Sequence, residues 1–402
     1  MSDKTFSLKD QSLKLDTAAD IAPFIEKLEQ IDGVEAVDLS GNTFGVEASE
    51  ALAKALKTKK TLKEVNFADM FTGRLKDEIP ACLEFLLPAL LELPDLIKIN
   101  LSDNALGLSA VDPLSDFLSK HTPLRELILA NNGFGPLAGA KVASALEDLA
   151  KAKEEVKSPY ALETVICGRN RLENGSMEAW SACFAANKEI KEIRLYQNGI
   201  RQEGIELLLT SGLSNSKKLQ KLDLQDNTFT VKGALALAKV IPNWADELIE
   251  LGIGDCLLSA RGGVVLGQAL IDVGRFPKLE TLRLQYNEID AEGVELITTA
   301  LRNTMYNLKK LELNGNKFSE DHPLVGKIND LFEDRGFGEL DDLSDMEEDS
   351  EDENEDESEE EEDEDEARSE ALERDLDGAE NEEVAEENRD DEIAAKMGTL
   401  SI

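Results

Sequence analysis

Nine residues of the form L-x-x-L-x-L-x-x-N recur along most of this chain, and that recurrence limits its architecture more than any other feature. The pattern is clearest at Leu124–Asn132, where Leu124, Leu127, Leu129 and Asn132 hold the fixed places. The same register returns with asparagine at positions 42, 104, 170, 198, 227, 287 and 316. It returns with Met70 and Cys256 where the asparagine is lost. From position 42 the successive intervals are 28, 34, 28, 38, 28, 29, 29, 31 and 29 residues. A self-similar period of that length means stacked supersecondary units rather than separate globular domains.

The chemistry of one unit follows from its periods. Leu127 and Leu129 alternate with polar neighbours as a short strand does, whereas a later segment such as Val231–Ile241 carries apolar residues at helical spacing. Each unit is therefore strand, turn and helix, and one unit alone cannot bury its apolar face. Ten or eleven side by side make a continuous core. The predicted class is α/β, a leucine-rich-repeat solenoid of the ribonuclease-inhibitor kind, with parallel strands on the concave face and helices on the convex face. At each strand end a buried amide side chain can donate to and accept from neighbouring turns, the role expected of Asn132 and its equivalents. The segments before the first clear repeat and at His322–Leu340 are expected to cap the two ends.

Charge divides the chain. The formal net is −41, from 43 Lys and Arg against 84 Asp and Glu, and residues 339–402 hold 33 acidic and 4 basic residues, a net of −29. A repeat domain over residues 1–340 and a disordered acidic tail over 341–402 are predicted, because the tail has almost nothing apolar to offset chain entropy. Ser350 and Ser358 lie among acids, as sites of acid-directed kinases do. So acidic a chain repels nucleic acid and anionic membrane and favours a basic protein surface.

Other chemistries find little support. Cys82, Cys167, Cys183 and Cys256 lack C-x-x-C spacing, so neither a metal site nor a disulfide framework is expected and a reducing compartment suits them. His121 and His322 lie in different repeats without a nucleophile motif, which argues against a catalytic triad. No phosphate-binding glycine loop is present. The leucine-rich run Leu83–Leu101 resembles an export signal, but its leucines fall where repeat helix and strand need them. No apolar leader or spanning segment is read, so a soluble cytosolic or nuclear protein is expected.

One position stands out. Asn131 precedes Asn132, and side-chain alternation turns it outward, toward the rim of the horseshoe. Its equivalents are Gly41, Asp69, Asp103, Arg169, Gln197, Asp226, Asp255, Tyr286 and Gly315. Such variation is how a repeat scaffold writes specificity; the alternative is that Asn131 only shapes the turn before Gly133. Asp69, Asp103, Arg169, Asp226 and Asp255 are candidate contacts for a partner, or ordinary solvated charges. Arg74 and Lys76 lie in an irregular repeat, with Met70 at the ladder place and a 34-residue interval after it.

The segments "NNGFGPLAGAKVASAL" and "FTGRLKDEIP", the repeat type and the acidic tail together resemble the fungal-type Ran GTPase-activating proteins, and the likeness runs through essentially the whole chain. The resemblance implies a non-enzyme that binds Ran in its GTP form and speeds hydrolysis on the cytoplasmic side of the nuclear pore. GTP and Mg2+ would be carried by the GTPase, with no cofactor of the chain's own. It implies a functional asparagine at Asn131 that fixes the GTPase's own glutamine by hydrogen bonding rather than by charge. For Arg74 two readings stay open, an arginine finger or support of its loop by an ion pair with Asp77 or another nearby carboxylate; Lys76 would support the loop or touch Ran. A monomer is expected, with room for an accessory Ran-binding protein. The competing readings are a pure binding module, as in ribonuclease inhibitors, and an acidic histone-chaperone-like protein.

Overall fold

The structure, a computed structural model, describes residues 4–346. Among the described residues, twelve short strands from Thr5–Ser7 to Glu339–Leu340 pair in parallel and in strict chain order as one curved sheet. Each strand of the repeat body is three residues long, and its central residue points inward: Val37, Val65, Ile99, Leu127, Val165 and their successors through Leu311 are essentially inaccessible. The residues on either side face the concave surface, so alternation within three residues separates core from interface. A helix follows each strand except the last, among them Val46–Leu56, Glu78–Leu91, Val111–Lys120 and Gly135–Val156. The helices bury leucines and alanines against the sheet and present their other faces outward.

The asparagine ladder closes the turns as the pattern requires. Asn132 Nδ2 donates to the carbonyls of Leu101 and Leu129, both at 3.0 Å, and its Oδ1 accepts from Asn104 N–H at 3.1 Å. Asn170 Oδ1 accepts in turn from Asn132 N–H at 2.8 Å. One amide thus satisfies three backbone groups of two repeats that the core would otherwise leave without water. Where the asparagine is missing, the neighbour still serves: Met70 N–H donates to Asn104 Oδ1, and Cys256 N–H donates to Asn287 Oδ1, each at 2.9 Å.

The ends carry more structure than caps alone. Thr5–Ser7 is a full edge strand in register with Ala36–Asp38, followed by its own helix, Ala18–Glu29. That segment is a further repeat whose ladder place is filled by Gln11 and whose Leu8 carbonyl accepts from Asn42 Nδ2. At the other end the packed chain runs past Leu340. Leu343 is buried, the Asp341 carboxylate accepts from the Leu313 and Asn314 amides, and Asp345 meets the Tyr286 hydroxyl at 2.8 Å. Unpaired amides of the last turn explain this, since an acceptor must come from beyond the final strand. The remainder of the acidic tail, with Ser350 and Ser358, lies outside the described residues.

The four cysteines are all buried and unpaired, and burial raises each thiol above its ordinary pKa. Among the described residues no helix is long and apolar enough to cross a membrane.

Candidate functional site

The turn after each strand brings one residue into the left-handed backbone region. Asp69, Asp103, Asn131, Arg169, Gln197, Asp226, Asp255 and Tyr286 all have φ between 49° and 60°, and Gly41 and Gly315 share the conformation. Asparagine adopts it at small cost. Yet arginine, glutamine and tyrosine occupy the same place in sister repeats, so turn geometry alone does not require asparagine at 131.

These rim residues are joined through their backbones. Asp69 N–H donates to the Ser102 carbonyl at 3.0 Å, Asp103 N–H to Ala130, Asn131 N–H to Gly168 and Arg169 N–H to Tyr196, the last three at 2.9 Å. Asp69, Asp103, Asn131 and Arg169 therefore line one rim at consecutive repeats. Asp226 and Asp255 stand farther along the same series, beyond Gln197. Asp103, Asn131, Arg169, Asp226 and Asp255 are exposed and Asp69 is half-buried, its carboxylate bonded to the Thr72 hydroxyl. Burial, then the neighbouring Asp255 charge, raises the Asp226 carboxyl above its usual value.

Asn131 is oriented by its neighbour. Its Nδ2 donates to Asp103 Oδ1 at 2.8 Å, a charge-assisted bond across one repeat. That leaves the Asn131 amide oxygen facing away from the carboxylate and turns a mobile surface side chain into an aimed one. Gly168, whose carbonyl accepts from the Asn131 N–H, is covered by the Tyr196 ring: a Cβ there would sit 2.5 Å from Tyr196 Cζ, so glycine is needed for the ring to lie in place. The Tyr196 hydroxyl is shifted upward, chiefly by burial and then by Asp223. Sequence reasoning passed over Tyr196, although repeat register alone aligns it with Gly168.

Arg74 is placed very differently. Its side chain is only 8% exposed, and Nη1 meets Asp16 Oδ1 at 2.6 Å. Nε donates to Thr43 Oγ1 at 2.9 Å and Nη2 to the Thr43 carbonyl at 3.2 Å. Glu78 lies 3.9 Å away. The ion-pair partner is thus Asp16, two repeats back, rather than Asp77, because the guanidinium folds inward along the stack. Gly45 leaves the space: a Cβ there would fall 2.8 Å from the Asp16 carbonyl and 3.2 Å from Arg74 Nη1. The arginine in turn holds the Asp16 carboxyl below the ordinary carboxylate range. Lys76 is exposed on the same loop.

A second charged group occupies the concave face. Arg194 meets Glu192 at 2.6 Å, Asp223 at 3.1 Å and, with two nitrogens, both oxygens of Glu250 at 3.0 and 3.1 Å. Arg283 closes the network on Glu250 and Glu312. Four carboxylates around two guanidiniums make a fixed, acidic inner surface. No group of three or more acidic, histidine or cysteine side chains among the described residues forms a metal cage.

A family model described as "Leucine Rich repeat" matches residues 215–238 and 277–297. Over 339 residues the chain is 43% identical to "Ran GTPase-activating protein 1" of Saccharomyces cerevisiae, covering 83% of both proteins. The chain belongs to the Ran GTPase-activating protein family. An animal Ran GTPase-activating protein, that of Xenopus laevis, is 41% identical over 201 residues, which are 49% of this chain and 35% of that one. The ribonuclease inhibitor of Sus scrofa is 26% identical over 270 residues, 67% of this chain and 55% of the inhibitor. The match to the yeast Ran GTPase-activating protein, unlike the matches to the other two, reaches two thirds of both chains.

Proposed function

We propose that this chain is a GTPase-activating protein for Ran, and that it acts by positioning the GTPase's own catalytic machinery. The observation that carries the positioning mechanism is the aimed side chain of Asn131, held by Asp103 at 2.8 Å on an exposed rim. A small GTPase is slow because its glutamine must orient the attacking water and because charge on the transferring phosphoryl group is poorly stabilised. An asparagine brings no full charge. Its amide can hydrogen-bond the glutamine side chain and hold it in one rotamer, lowering the barrier through orientation. GTP and Mg2+ belong to the GTPase, and this chain supplies no cofactor and does no covalent chemistry.

Arg74 is assigned loop support. A finger must reach outward, whereas this guanidinium has contacts to Asp16 and Thr43 that it would have to break first. Lys76, Asp69, Arg169, Asp226 and Asp255 are assigned contacts with Ran, the carboxylates matching basic side chains of the partner, and Asp103 is assigned the aiming of Asn131. The chain acts as a monomer on the cytoplasmic side of the nuclear envelope, with an accessory Ran-binding protein able to join.

Single-turnover GTP hydrolysis by Ran, with and without the full chain, tests the proposal. Strong stimulation is expected; Ran bound by the chain but hydrolysing at its intrinsic rate would return the solenoid to the class of pure binding modules.

A further inference from the structure

Three large apolar side chains stand exposed beside the Asn131 rim: Leu75 at 73%, Leu108 at 39% and Leu137 at 61%. They lie five, four and five residues after ladder positions 70, 104 and 132, each in the segment that leads into or begins its repeat's helix. Those are consecutive repeats, and their rim residues are Asp69, Asp103 and Asn131. Five residues after the other ladder positions stand six charged residues and one glycine, from Glu47 to Asp321. A lone exposed leucine needs no explanation. An exposed leucine in each of three successive turns does: Leu75 and Leu137 stand where seven other repeats place charge or glycine, and Leu108 stands one residue before Ser109, which holds that place in the repeat between them.

The three turns are tied together. Gly107 N–H donates to the Asn132 carbonyl at 3.0 Å, and Met70 N–H to Asn104 Oδ1 at 2.9 Å. Leu75 is held from below, its N–H donating to Glu78 Oε2 at 2.9 Å. Leu137 follows Pro136 in the first turn of Gly135–Val156, with the proline ring packed against Gly175. The leucines are therefore presented on ordered backbone.

We propose that Leu75, Leu108 and Leu137 form an apolar docking patch that takes an apolar surface of the GTPase and so sets affinity, leaving rate to Asn131. This rests on the function proposed above. Continuity selects the occupant: a side chain that must aim a glutamine to a fraction of an ångström needs a desolvated anchor beside it, and these three exposed leucines lie in the repeats of Asp69, Asp103 and Asn131, whereas the exposed Leu257 lies several repeats away beside Asp255. Flanking carboxylates at Asp69 and Asp103 supply the polar border such a patch requires.

The test uses the full-length chain with Leu75, Leu108 and Leu137 all changed to serine. Hydrolysis by Ran·GTP is followed at rising concentrations of the chain, and binding is measured to Ran loaded with a non-hydrolysable GTP analogue. The half-saturating concentration and the Kd are expected to rise about tenfold or more while the saturating rate stays within about twofold. Leu→Met at all three positions should restore affinity, and Leu235→Ser, at an equally exposed leucine on the convex helix Thr230–Val240, should leave it unchanged. Unchanged affinity in the triple serine variant, with the wild type active, would overturn the patch alone. Failure of the wild type to bind Ran at all would overturn the function and the patch with it.

Discussion

Asn131 Nδ2 donates to Asp103 Oδ1 at 2.8 Å, so that one rim residue orients another across a single repeat. If this bond aims the amide, Asp103→Ala will slow the stimulated hydrolysis by Ran without loosening Ran·GTP to the same degree. The loss should be smaller than that of Asn131→Ala, because the side chain stays present and must only be oriented on demand. Rates and affinities measured side by side decide this. An Asp103→Ala chain whose affinity falls as far as its rate would mark Asp103 as a contact and not a positioning residue.

Arg74 gives the opposite expectation. Its guanidinium joins Asp16, Thr43 and its own loop, so Arg74→Ala will lower the thermal midpoint by a few degrees and loosen the first three repeats. Arg74→Lys keeps the charge but loses the forked contacts to Thr43, and should recover only part of the midpoint. Any activation defect is expected to follow the folding defect. Hydrogen exchange confined to residues of the first repeats would show it, whereas full stability with abolished rate would restore the finger.

The asparagine ladder predicts stability without function. Asn287 donates to the Ile253 and Leu284 carbonyls at 2.7 and 3.1 Å and accepts from Cys256 N–H. Asn287→Ala strands those buried groups at a cost of about 3 kcal/mol. Urea unfolding should report that loss while the saturating rate at low temperature is retained, since Asn131 lies several repeats away. A cost below about 1 kcal/mol would mean that water or relaxed turns replace the amide.

Acid sensitivity is expected at His121. The imidazole is buried, donates Nε2–H to the Leu96 carbonyl at 2.7 Å and stacks on Phe117, and its pKa is pushed down from 6.5 to about 4, first by burial. The folded chain therefore keeps His121 neutral where the unfolded chain takes up a proton. This contribution is complete above pH 6.5 and is lost as pH falls toward 4, amounting to about 2 kcal/mol between pH 7 and pH 5. Urea melts at those two pH values, compared with His121→Gln, isolate it: the variant should show a shallower fall, and an identical fall in both would assign the acid sensitivity to carboxylates.

Much of this architecture was legible in the sequence, because the repeat reports itself. The spacing of Leu124, Leu127, Leu129 and Asn132 fixes strand, core and ladder, and register alone aligns Asp103, Asn131 and Arg169 on one rim. Less regular pieces escaped. Thr5–Ser7 carries only part of the nine-residue pattern, and its ladder place holds Gln11, yet pairing with Ala36–Asp38 makes it a strand. The partner of Arg74 lies 58 positions upstream at Asp16, in a segment without a repeat signature, and only the room at Gly45 reveals the path. Side-chain direction was hidden too: that Arg74 turns inward while Asn131 reaches Asp103 depends on packing between turns, which the alternation of residues does not encode.

The most direct measurement is single-turnover GTP hydrolysis by Ran with the wild-type chain and with Asn131→Ala, each paired with the Kd for Ran·GTP. A loss of about 10²-fold or more in saturating rate is expected, with affinity changed only a few-fold. An Asn131→Ala chain that stimulates hydrolysis at the wild-type rate would contradict it.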